Sequence, residues 1–128
     1  MKCQELMVGD FCRSGHGLPM QITNVGDDYA YATFEGNEGE PWEFSDKDER
    51  PQPIPLTTEI LEKNGWKQTE YCHEYQDGKN TIQCRLPYMV GRINGIDIEH
   101  FKCEYVHQYQ HLLRLCGLDE LANNFKVV

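Results

Sequence analysis

The stretch "RPQPIPL", residues 50 to 56, restricts the fold of this chain more than any other. Its three alternate prolines lack backbone donors and push each preceding residue away from helical geometry, so neither a helix nor a central strand runs through it. The patterning differs on its two sides. A β-rich lobe is expected over residues 6–54 and a helix, sheet and terminal helix over 55–128, together one compact α+β domain of 128 residues.

Before the joint, the apolar runs are short: "LMVGDFC", "MQITNV", "YAYATF" and "PWEF". Gly9-Asp10 and Gly26-Asp27-Asp28 supply turns, while Met20, Ile22 and Val25, then Tyr29, Tyr31 and Thr33, recur as strand residues do. Short strands at this spacing predict a small SH3-like half-open barrel.

After the joint, "LTTEILEKNGW" predicts a helix at about residues 57 to 64. Thr57 is its N-cap, Glu59 lies near the positive helix start, Leu56 and Leu61 have hydrophobic-staple spacing, and Asn64-Gly65 supplies a left-handed stop. Asp77-Gly78 and Asn94-Gly95 predict two hairpins of an antiparallel sheet. Ile96 and Ile98 share one parity, whereas Phe101, Cys103 and Tyr105 share the other. A bulge near Glu99-His100, or a strand-to-helix transition, is therefore expected.

The last predicted helix spans residues 104–117 and contains "YVHQYQHLLRLCG". At 100° per residue, Tyr105, Val106, Tyr109, Leu112, Leu113 and Cys116 form its packing face. His107, His111 and Arg114 are expected opposite, as a surface stripe joined by Leu115. Two histidines four apart can hold zinc, with a third ligand from His73, His100 or a carboxylate. A zinc protease motif, however, has a general-base glutamate where this chain has Gln108, and Arg114 adds a repelling charge. A metal-dependent hydrolase using His107 and His111 remains only an alternative. A further alternative is a small anionic ligand, nucleotides included, held by the imidazoles and guanidinium.

Net charge is −9, from 21 acidic and 12 basic side chains, which argues against nucleic acid and anionic membranes as partners. Acidity peaks over residues 35–49, where seven carboxylates meet one lysine. That segment reads as a solvated loop or as an acidic surface for a basic host protein. Within it, Glu40, Trp42 and Glu43 form a second candidate patch, although a tryptophan in a small barrel is more often a core residue than a binding one. No apolar run has signal-peptide or membrane-span length, so the cytoplasm is the expected compartment. Six cysteines without any CxxC are expected to stay thiols there, and no cofactor motif is present. Cys72-His73 face opposite ways on a strand, and "SGHG" at 14–17 reads as a turn.

"ELMVGDFC", "PIPLTTEILEKNGW" and "EYVHQYQHLLRLCGLDEL" together resemble a family of small phage and mobile-element proteins from Bacteroides-like bacteria. The family is marked by a PIPLT-type helix and a YVHxLQ-type terminal helix. Tyr105, Val106, His107, Gln108 and Gln110 match the terminal motif. Tyr109 stands at a leucine position, and His111 at one where relatives also carry asparagine. No activity or catalytic residue comes with this resemblance. It implies an accessory product of a phage or integrated element, engaged in host-protein contact or ligand sequestration; with the missing general base, a non-enzymatic binding protein that contacts a host or phage protein is the expected function.

Overall fold

In a computed structural model, which describes all 128 residues, the chain is α+β and divides into two compact units, Met1–Ile54 and Pro55–Val128. The division falls within the proline-punctuated joint. Each unit contains one five-stranded antiparallel sheet.

The first unit opens with a 3-10 turn at Cys3–Glu5 and continues through β1 (Phe11–Arg13), β2 (Pro19–Val25), β3 (Tyr29–Thr33), β4 (Trp42–Ser45) and β5 (Gln52–Pro53). Its strand order is β4-β3-β2-β1-β5, so the last strand returns beside the first and the sheet forms a half-barrel. The buried Asp10 side chain accepts from Met7 N–H at 2.8 Å and holds the turn into β1. Met20 and Ile22 point into the core, and a register shift between Ile22 and Asn24 ends that alternation before Val25. In β3 the buried side chains are Ala30 and Ala32, not the tyrosines. Ala30 lies opposite Phe44 and Ala32 opposite Trp42, so small side chains leave room for the large aromatics of the next strand.

The second unit begins with α1 (Thr58–Lys63). Thr57 Oγ1 accepts from Ile60 N–H at 3.2 Å; at the other end, Gly65 N–H donates to Glu62 O and Trp66 N–H to Leu61 O, a Schellman closure. A meander follows: β6 (Lys67–Gln68), β7 (His73–Asp77), β8 (Asn80–Arg85), β9 (Tyr88–Ile93) and β10 (Ile96–Lys102). The first hairpin turns on Gly78-Lys79, one residue later than expected, and the second on Asn94-Gly95, with positive φ at Gly78, Asn94 and Gly95. β10 carries a bulge between Ile98 and Phe101, with His100 at φ 50°, which resolves the parity change.

Two helices complete this unit: α2 (Val106–Leu115) and α3 (Asp119–Asn123). Gln108 caps α2 by accepting from the backbone N–H groups of Glu104 (2.8 Å) and Tyr105 (3.1 Å). Leu61, Ile82, Met89, Ile93, Leu112 and Leu113 are fully buried, while Trp66 packs its ring against Tyr75 and Tyr109. No helix is long and apolar enough to cross a membrane.

Candidate functional site: a groove at Trp42

The expected stripe on α2 does not form as a continuous exposed surface. His107 is only 5% exposed, which corrects its placement opposite the packing face. The periodicity of α2 assumed a single buried side, but α3 packs on this helix as well. Gln110, fully buried, donates from Nε2 to Ala122 O at 2.9 Å, and Arg114 donates from Nη2 to Asn123 Oδ1 at 3.1 Å. His107 stacks on Tyr105 and meets His111 edge-on, with ring centroids 6.0 and 5.6 Å apart. His111 and Arg114 are half-buried, whereas Leu115 is 75% exposed.

The two histidines do not gather a third ligand. His73 pairs with Glu62 at 3.2 Å, and His100 lines a recess on the sheet; no group of three His, Cys, Asp or Glu side chains converges to hold a metal ion. Thiol chemistry is disfavoured as well. Burial pushes the Cys12 and Cys103 thiols up to about 12 and the Cys84 thiol up to about 11, leaving negligible thiolate at neutral pH. Cys72, the half-buried one, lies 3.4 Å from the Thr69 hydroxyl, and its neighbour His73 is engaged with Glu62.

The second candidate patch is better formed. Trp42 starts β4 on the same parity as the buried Phe44, at a centroid distance of 5.3 Å, so one part of its ring packs on the half-barrel core. The remainder lines a groove of about 600 Å³ within the first unit. Its apolar surface comes from Leu18, Phe34, Pro41 and Trp42, with Glu40, Glu43, His16 and Arg50 also lining it. Ser14 shapes the opposite wall: its Oγ accepts from His16 N–H at 3.2 Å and Leu18 N–H at 3.1 Å, closing the "SGHG" turn.

Fixed charges surround the tryptophan. Arg50 places its guanidinium carbon 4.9 Å from the Trp42 ring centroid and is held by Asp48 through two bonds, Nε to Oδ1 at 3.0 Å and Nη2 to Oδ2 at 2.7 Å. Those hydrogen bonds hold the Asp48 carboxyl down at about 2. Tyr31 donates its hydroxyl to Glu43 Oε2 at 2.8 Å, and this bond raises the phenol above its usual range. The Glu40 carboxylate, at the exposed rim, is bonded to no side chain. The groove thus combines a supported aromatic face, an apolar wall and a negative rim.

Glu40, Trp42 and Glu43 all line this groove, together with Arg50, Phe34 and His16, which the sequence did not single out as site residues. Their only signal is proximity to turns, because between Trp42 and Arg50 the strand ends at Ser45 and four irregular residues follow, so no period links the two. The chain matches no protein-family model, curated protein or solved structure.

Proposed function

We propose that this chain is a non-enzymatic binding protein of the phage or mobile-element accessory type, and that its contact surface is the Trp42 groove. The observation that carries this reading is a half-buried tryptophan lining an apolar groove of about 600 Å³ beside unneutralised carboxylate. Half-buried aromatics supported from behind offer large contact area at small entropic cost, the usual chemistry of an interface anchor. An SH3-like assignment of the first unit belongs to the same reading, supported by the return of β5 beside β1. A cytoplasmic host protein is the expected partner.

Affinity capture from host lysate should compare the native chain, Glu40→Lys, and the double variant His111→Ala with Leu115→Ala. A partner retained by the native chain and the helix variant but lost by Glu40→Lys supports the groove. Loss with the helix variant alone would move the interface to α2, which Leu115 still favours by its exposure.

A second reading, capture of a small anionic ligand, is favoured by a recess of about 510 Å³ on the second sheet, lined by Arg85, His100, Tyr71 and Tyr88. Thermal shifts with a nucleotide and cyclic-nucleotide panel test it, since a ligand of the folded state alone raises stability by mass action. Flat melting temperatures at millimolar nucleotide would reject it.

A further inference from the structure

We infer that the Trp42 groove receives an extended segment of a partner protein carrying an arginine or lysine between apolar residues, and that Arg50 occupies the aromatic face until this cation displaces it. The inference rests on the groove being the contact surface. It adds the chemistry of the occupant and a resident competitor.

The aromatic face already holds a cation. Arg50 Cζ stands 4.9 Å from the Trp42 centroid, so the ring is accessible to a planar guanidinium and its quadrupole is used that way within the chain. This resident arginine is not an unbalanced charge, because Asp48 grips it in a two-point pair while its side chain remains 65% exposed. Leaving the ring therefore means loosening this two-point pair, and the exposure of the arginine side chain lets water take up the freed donors. An incoming cation meets Glu40 at the rim, where no side chain neutralises it, and Glu43, whose second oxygen is open beside the one that accepts from Tyr31.

The remaining surface selects a segment over an isolated cation. Leu18, half exposed, together with Phe34 and Pro41 extends the apolar wall beyond the indole, and a single guanidinium leaves that area wet. Apolar residues flanking the cation cover it. Anionic ligands are disfavoured by the same rim that attracts the cation.

The test uses the full chain with Trp66→Phe, which leaves Trp42 as the fluorescent reporter, and calorimetry on the native chain. Three probes are titrated: a capped pentapeptide with arginine between leucines, the same peptide with glutamate in place of arginine, and arginine amide. The arginine peptide is expected to bind at least tenfold more tightly than either other probe. Glu40→Gln should weaken it about threefold. Arg50→Ala should tighten it severalfold, because the resident cation is gone; neither variant alters the core. Weaker or unchanged binding by Arg50→Ala would overturn displacement, and arginine amide binding as tightly as the peptide would overturn the segment. Preference for the glutamate peptide, still perturbing Trp42, would reject the cation but leave the groove as the contact surface. No response of Trp42 to any peptide would reject both.

Discussion

Gly91 shows how a single residue holds the second sheet together. It lies in β9 opposite Ile82 and Ile98, at φ 155°, and a Cβ there would be driven into the Thr81 carbonyl oxygen and within 2.8 Å of Ile82 Cα. Both obstacles are backbone of the paired strand, which cannot move without breaking the ladder. Gly91→Ala is expected to cost about 2–4 kcal/mol in urea denaturation, whereas Gly39→Ala, with open space at its Cβ, should stay within about 0.5 kcal/mol. The Asp48–Arg50 pair makes a different kind of claim. A carboxyl depressed from the usual 3.8 to about 2 contributes fully above the usual value and loses that contribution as pH falls through about 2. The side-chain carboxyl resonance of Asp48 should therefore titrate near 2 and move back toward 3.8 in Arg50→Ala. An unmoved inflection in that variant would detach the shift from the arginine.

The terminal helix tests how far local patterning reaches. Leu113 is fully buried and Leu115 is 75% exposed, so alanine at 113 should cost about 2–5 kcal/mol and alanine at 115 almost nothing. Gln110→Ala should cost about 1–3 kcal/mol by thermal or urea unfolding, because the buried bond from Gln110 Nε2 to the Ala122 carbonyl is lost, although that oxygen keeps backbone donors at the end of α3. The sequence shows the first of these contrasts but hides the second. Thr57, Gly65 and Asn94-Gly95 act through neighbours within a few residues, and helix α1 and the second hairpin were accordingly readable from composition and spacing alone. His107 was misplaced because its ring stacks on Tyr105, which lies before the helix and does not enter a helical projection of α2. The alanines of β3 were hidden for a related reason. Hydrophobic alternation weights Tyr29 and Tyr31 above Ala30 and Ala32, yet cross-strand Phe44 and Trp42 decide which side is inward. The groove is the extreme case: the turn at 14–18, the segment around 34–43 and Arg50 meet only after the half-barrel forms.

Charge is divided unequally between the two units, and this bears on how a partner would approach. Met1–Ile54 carries eleven acidic and four basic side chains, a net of −7, while Pro55–Val128 carries ten and eight, a net of −2. Most of the net charge of −9 therefore belongs to the unit that contains the Trp42 groove. A field of this sign raises the encounter rate with a basic partner and is screened by salt, whereas buried aromatic contact governs how long the complex lasts. For the arginine–leucine peptide, raising ionic strength from about 0.05 to 0.5 M should slow association about tenfold or more and change dissociation by less than about threefold. Glu40→Lys should lower the association rate, and Glu99→Lys, an exposed change in the second unit, should leave it nearly unaltered. Stopped-flow fluorescence of Trp42 separates the two rates. If salt acted mainly on dissociation, the carboxylates would be direct contacts holding the bound segment and not a field that guides it in.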